Sequence, residues 1–225
     1  MLSRDLAENF SAKLKIAVER IVREEFELSL LKSFFESEIG GALIFKGGTA
    51  LRLAYGSPRF SDDLDFSAGE VISETAFKTV AEAAGRSLAE AKLVEALAKY
   101  FTLFALYRVD VSYIGRPFSI KVEISAREES RETAGESELR LLSSEVTNLT
   151  VLARVATLER AFADKTAAFA ARRQPRDLFD LWFISQKLGR PFQADSAGLD
   201  PRIVRRELRK YLPKTHWSVI DQWAE

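Results

Sequence analysis

The sequence predicts an α+β fold, with an α/β part over residues 1–150 and a mostly helical part over residues 151–225. Three observations carry this. A short apolar run, Ala42 to Phe45, leads through Gly47 and Gly48 into a short helical segment and then a second strand, Asp63 to Phe66. The apolar period changes to two between residues 101 and 125, and from Thr157 it returns to helical spacing.

Taken in order, residues 4–37 read as helical, because Leu14, Val18, Ile21, Val22, Leu28, Leu31 and Phe35 recur at about that spacing. Ala42 to Phe45 suits a buried strand. Thr49 to Ala54 suits a short helix that Gly56 and Pro58 end, with Thr49 as its cap. Ser73 can cap a helical region that runs to about Lys99, with a break near Gly85. Alternation over Phe101–Val111 and Phe118–Ser125, with a turn at Gly115-Arg116-Pro117, predicts a hairpin. Residues 126–145 are polar and read as a loop, and Val146 to Ala153 as one more strand. Pro175 and Asp200-Pro201 open two later helices, and the last dozen residues suit another.

Composition narrows the chemistry. The chain has 225 residues, 47% hydrophobic and 29% charged, as in globular proteins that bury a core. No apolar run is long enough to span a bilayer, and the polar N-terminus lacks a signal-peptide segment, so the expected location is cytoplasmic, with no membrane partner. With no cysteine, disulfides and thiolate chemistry are excluded. The single histidine, His216, leaves no two-histidine zinc site, and a Ser-His-Asp triad would depend on it alone. Any metal is expected to bind oxygen, which favours Mg2+ or Mn2+. A net charge of zero gives no global pull toward nucleic acid.

Phe45 to Ser67, FKGGTALRLAYGSPRFSDDLDFS, concentrates the candidate chemistry. Gly47 and Gly48 allow positive φ and close backbone approach, and a helix N-terminus after such a turn favours anions. The glycine pair alone equally suits a tight strand-to-helix turn. On a strand Asp63 and Asp65 share one face, with Leu64 and Phe66 on the other and Asp62 turned away with Leu64. Two such carboxylates need a positive partner, and a divalent metal supplies one. Glu123, on the polar face of KVEIS, completes a metal triad or else pairs with Lys121 as an ordinary strand glutamate.

Later in the chain, Lys165 and Arg172 fall on the apolar stripe of Leu158, Phe162 and Phe169. Such a lysine either snorkels to solvent or enters a cleft, where it meets phosphate as a point charge. Asp177 and Asp180 open the next helix, where the helix dipole alone accounts for acids, and Asp180 can pair with Lys165 or Arg176. Arg202, Arg205, Arg206 and Arg209 share a helical face that suits either solvent or an RNA backbone. Trp182, Trp217 and Trp223 suit core or interface packing.

The Phe45–Ser67 run resembles the glycine-pair-to-DxD motif of the DNA polymerase β-type nucleotidyltransferases. It is most similar to the AbiEii/AbiGii toxin branch, close to the MenT-like toxins. The segment TLERAFADKTAAFAARRQPRDLFDLWF resembles the Lys…Arg…Arg-Asp-x-x-Asp segment of that branch, and the likeness spans about residues 15–190. Gly48 departs from the wider superfamily, where many members carry serine after the first glycine. The resemblance implies a mixed sheet flanked by helices, with the helical C-terminal part completing the nucleotide cleft. It implies a metal held by Asp63, Asp65 and Glu123, and a nucleotide held by Lys46, Gly47, Gly48, Thr49, Arg172, Arg173, Arg176 and Asp177. Asp63, Asp65, Glu123, Lys165 and Asp180 would carry the catalysis. It further implies Mg2+ or Mn2+, an NTP donor, an RNA acceptor such as the tRNA 3′ end, release of pyrophosphate, and an antitoxin partner. A small-molecule or protein acceptor, or a nucleotide- or RNA-binding module without turnover, stays open on the residues alone.

Overall fold

The computed structural model describes residues 1–126, 135–193 and 198–221. Seven strands form one mixed sheet: β1 (Leu43–Lys46), β2 (Asp63–Ala68), β3 (Ala91–Lys99), β4 (Thr102–Val109), β5 (Phe118–Ser125), β6 (Ser137–Ser144) and β7 (Thr147–Ala156). Their order is β3-β4-β5-β2-β1-β7-β6. The β2–β5 and β1–β7 pairs are parallel, and the others antiparallel. The helices are α1 (Arg4–Leu14), α2 (Val18–Phe35), α3 (Gly47–Tyr55), α4 (Glu74–Arg86), α5 (Leu158–Arg172), α6 (Pro175–Lys187), α7 (Pro201–Arg209) and α8 (Trp217–Asp221). The predicted architecture holds: a helix-flanked sheet, then helices.

Several local expectations differ from what the chain does. The N-terminal helix is two helices, because Lys15 takes a left-handed φ of 55° and ends the first. Helix α4 stops at Arg86, and residues 91–99 form β3, although their alanines, leucines and lysines favour helix. Pairing with β4 from Ala91↔Val109 to Lys99↔Thr102 overrides that preference. The polar stretch before residue 146 contains β6, which pairs with β7 along its whole length, while 127–134 lie outside the described residues. Lys214–His216 form a 3-10 turn and Trp217–Asp221 form α8; residues 222–225, with Trp223, lie outside the described residues.

One apolar core joins the sheet to both sets of helices. Phe34 of α2 meets Phe66 of β2 and Phe77 of α4, with ring centres 6.2 and 6.4 Å apart. Phe179, Ile184, Val204, Leu208 and Leu212 belong to the same buried cluster. The C-terminal helices are therefore fixed to the sheet by shared burial, at roughly 25 cal/mol per Å2 of apolar surface removed from water. Trp182 lies against Phe179 at 5.3 Å, a packing role. The chain crosses from sheet to helices where β7 ends, at Ala156.

Candidate active site

Parallel pairing sets the site. Asp63 lies beside Lys121 and Asp65 beside Glu123. Alternation turns these four side chains to one face, while Leu64, Phe66, Val122 and Ile124 are buried on the other. The β1 partner of Asp65 is Lys46. Three carboxylates and two lysines thus share three neighbouring strands.

The glycine pair is fixed by what approaches it. Gly47 has φ +82°, and a β-carbon there would stand 2.6 Å from Asp65 Oδ2. One on Gly48 would overlap the Arg59 guanidinium and lie 2.7 Å from Ser61 Oγ. Thr49 is not the helix cap. Helix α3 begins two residues earlier, and the buried Thr49 hydroxyl donates to the Asp63 carbonyl at 2.6 Å. That bond ties α3 to the start of β2. The N-cap residue Lys46 makes no side-chain capping bond to the amides that open α3, and that end of a helix favours anions.

Electrostatics keep the carboxylates under tension. Burial, and then the Asp63 charge, raise the Asp65 pKa. Burial also raises Asp63, against the pull of Lys121. Lys121 Nζ lies 2.8 Å from Glu123 Oε2 and 3.4 Å from Asp63 Oδ2. Among the described residues no three carboxylates stand together as a ready-made metal cluster. The donor set nevertheless suits a hard divalent cation: it is all oxygen, shares one face, and includes a partly desolvated acid that gains from a positive partner.

The second wall is α5 with the start of α6. Thr157 caps α5, accepting from the Arg160 amide at 3.3 Å. Lys165 turns inward, with 12% of its side chain exposed, and lies 3.1 Å from Asp177 Oδ1 and 2.7 Å from Asp180 Oδ2. Arg172 donates through Nε and Nη2 to both Asp177 oxygens, at 2.6 and 2.7 Å. Arg59 grips Asp180 the same way, at 2.7 and 2.8 Å. Asp177 and Asp180 have no exposed surface, so each meets the cleft only through the cations it holds. Burial opposes their ionisation. Arg172 and Lys165 outweigh it at Asp177, and Arg59 and Lys165 at Asp180, holding both below the usual carboxylate range. Between this wall and the sheet lies a cleft of about 430 Å3, whose lining includes Lys46, Gly47, Asp65, Glu123, Lys165 and Arg172. A second cavity, of about 330 Å3 beside Arg52 and His216, includes none of the three carboxylates.

The remaining candidates sit apart from that cleft. Arg173 ends α5 with a φ of 49°, its guanidinium 4.3 Å from the Phe169 ring centre. Arg176 lines a smaller cavity of about 160 Å3 with Gln174, Glu207 and Tyr211, and its charge favours ionised Asp63. Among the described residues it forms no ion pair. On α7, Arg205 and Arg209 each lie 3.3 Å from Asp221, and Arg206 lies 3.4 Å from Glu207, so that face is partly neutralised within the chain.

Sequence reasoning missed three contributors. Arg59 gave only one signal, a cation inside the turn GSPRFS. Lys121 was visible only as a neighbour of Glu123. Asp62 is held on the side of Leu64 and Phe66, the face that α2 covers through Phe34, and its partners there were not foreseen. It pairs with Arg20, lies 3.4 Å from Arg23 Nε, and accepts from the Tyr211 hydroxyl at 2.6 Å. Burial works against its charge, but Arg20 and the Tyr211 bond keep its pKa low. Arg20 in turn lies over the Tyr211 ring at 4.3 Å.

Comparison with known proteins adds to this geometry. The family model described as "Nucleotidyl transferase AbiEii toxin, Type IV TA system" matches residues 29–221. No curated protein sequence matches the chain. Among solved structures, JHP933 from Helicobacter pylori is similar at 23% identity, over 93% of each chain, with a TM-score of 0.60. MenT4, a nucleotidyltransferase toxin from Mycobacterium tuberculosis, is similar at 24% identity, over 92% of this chain and 68% of its own, with a TM-score of 0.64. At these identities the two structures speak for the fold.

Proposed function

This chain belongs to the AbiEii nucleotidyl transferase toxin family, and from that premise we propose that it moves a nucleoside monophosphate from an NTP to an acceptor hydroxyl. The observation that carries the reading is the register of β2 and β5, which sets Asp63, Asp65 and Glu123 on one face beside the glycine start of α3. Asp63, Asp65 and Glu123 would hold Mg2+ or Mn2+. A bound divalent ion supplies charge neutralisation on the phosphoryl oxygens and on the attacking oxygen.

The chain's own residues position and neutralise the substrate. The opening amides of α3, at Gly47, Gly48 and Thr49, face an anion with the helix dipole behind them. Lys165 and Arg172 line the cleft with charges already oriented by Asp177 and Asp180, so little reorganisation accompanies phosphate binding. Lys46 belongs to the same lining. Arg176, which forms no ion pair among the described residues, adds a cation whose charge favours ionised Asp63. In the reaction the acceptor oxygen forms a bond to the α-phosphorus and the α–β bridging bond breaks. Pyrophosphate leaves with that electron pair, and the hydroxyl proton passes to a nearby base or to water. Catalysis is positioning and electrostatics more than covalent chemistry.

We assign the acceptor to RNA, in particular a tRNA 3′ end, and expect an antitoxin encoded with the chain. The family description, with its toxin–antitoxin setting, supports the antitoxin; the RNA acceptor rests on the resemblance of the Phe45–Ser67 and Thr157–Phe183 segments to that toxin branch. The test offers each α-labelled NTP in turn with Mg2+ and total cellular RNA, beside an Asp63→Ala/Asp65→Ala variant. Label in a tRNA-sized band, absent from the variant, is the expected result. Label in protein or in a small molecule would contradict the RNA assignment and keep the transfer. No label with any nucleotide, in Mg2+ or Mn2+, would contradict transfer and favour a binding module.

A further inference from the structure

If Asp63, Asp65 and Glu123 hold a metal, as proposed above, Lys121 stands in its way. Lys121 is the Cα partner of Asp63 on the neighbouring parallel strand and shares its face. Its ammonium stands between Glu123 Oε2, at 2.8 Å, and Asp63 Oδ2, at 3.4 Å. These are two of the three carboxylates assigned to the cation. The three side chains are each about a third exposed, so the ammonium occupies the mouth of the site and not its floor. Several neighbouring cations are held by other acids: Lys165 on Asp177 and Asp180, Arg172 on Asp177, Arg59 on Asp180, Arg20 and Arg23 on Asp62, while Lys46 lines the cleft and Arg176 lies on the Asp63 side. Lys121 is set within 4 Å of both Asp63 and Glu123, bridging the two.

We propose that Lys121 is a built-in counter-cation of the metal site: it neutralises Asp63 and Glu123 in the resting enzyme and competes with the divalent ion for them. Two consequences follow from the geometry. Lys121 must leave the gap between Asp63 and Glu123 before both carboxylates can turn to a metal, so the free enzyme binds metal weakly. A nucleotide that arrives with its own divalent ion brings the charge needed to displace the ammonium, so occupancy of the metal site is coupled to nucleotide. Lysine suits this part because its long stem can swing a compact charge out of the way. Lys121 acts as a positioning residue, through the carboxylates.

The test measures Mn2+ binding directly, by the loss of the free-ion paramagnetic resonance signal, on the intact chain without nucleotide. Wild type, Lys121→Gln, Lys121→Arg and Asp65→Asn are compared, each checked for folding by circular dichroism. The expected result is that Lys121→Gln binds Mn2+ roughly tenfold more tightly than wild type, as loss of about 1.4 kcal/mol of competition requires. Lys121→Arg keeps the charge and stays at or below the wild-type affinity, and Asp65→Asn loses binding. Melting in EDTA supplies a second readout, in which Lys121→Gln falls below wild type because the carboxylates then repel without a counter-charge. Unchanged or weaker Mn2+ binding by Lys121→Gln, with binding still lost in Asp65→Asn, overturns the proposal and leaves the metal site standing. Mn2+ binding that survives Asp65→Asn, or is absent from all four proteins, overturns the metal reading itself.

Discussion

Arg59 and Asp180 lie 121 residues apart in the chain and form a two-point ion pair with almost no exposed surface on either partner. The pair joins the loop before β2 to α6, and Lys165 reaches the same Asp180 carboxylate. The two walls of the cleft are thus pinned through one acid. Removing one partner strands a buried charge, which costs about 3–5 kcal/mol. Arg59→Ala is expected to lose that much stability by urea denaturation, and Asp180→Asn to lose stability and to loosen Lys165. A loss below 1 kcal/mol in both would show that the pair does not hold the walls.

Gly48→Ala tests the same junction from the other side. The added methyl overlaps the Arg59 guanidinium, while the same change at Gly41 meets nothing within 4 Å. Displacement of site residues by about 1 Å can cost roughly a hundredfold in rate. Transfer by Gly48→Ala should fall by about that factor, with Gly41→Ala near wild type as control.

Asp65→Asn is expected to separate stability from activity. The Asp65 charge is opposed by burial and by Asp63. Its removal should raise the melting temperature in EDTA by about 2–4 °C, equivalent to about 1 kcal/mol for a chain of this size. Transfer should be abolished. A lower melting temperature would mean that Asp65 has a stabilising partner in the resting fold.

Acid should weaken the second wall. Asp177 and Asp180 have folded pKa values below their ordinary ones, through Arg172, Arg59 and Lys165. Carboxylates of that kind stabilise the fold above the unfolded value, about 3.9, and the gain is lost as pH falls through the folded value. Their contribution is therefore constant from pH 7 to about 5 and declines below about 4. Asp177→Asn should be less stable than wild type at pH 7 and should show a shallower acid limb in denaturation midpoints. An equal limb in the two proteins would contradict this.

Arg176→Ala addresses nucleotide binding. The side chain is half-buried, with no ion pair among the described residues, so stability should change by less than about 0.5 kcal/mol. A charge-assisted phosphate contact is worth roughly 1.5–3 kcal/mol. KM for NTP is expected to rise by about ten- to a hundredfold. An unchanged KM would place Arg176 outside the nucleotide site.

Much of this was legible before the fold was known. Strand alternation was enough to put Asp63 and Asp65 on one face, while the conflict of Lys165 with its apolar stripe left snorkelling or a cleft open, and the family resemblance favoured the cleft. Local pattern failed where long-range pairing decides. Residues 91–99 carry helix-forming side chains, and only β4 makes them a strand. Glu123 showed a face but no neighbour, because its place beside Asp65 is a register between chain segments about 58 residues apart, as 123 − 65 gives. Arg59 and Tyr211 were invisible for the same reason: each acts on an acid distant in sequence, and single-chain spacing carries no trace of that meeting.

The proposed transfer attacks the α-phosphorus and not the γ. Parallel reactions with α-labelled and γ-labelled NTP, in Mg2+ and with cellular RNA, test it directly, with Asp63→Asn/Asp65→Asn as the control. The expected result is α-label retained on the acceptor, γ-label released as pyrophosphate in equal amount, and neither in the control. γ-Label on the acceptor, or turnover that survives loss of both aspartates, would contradict it.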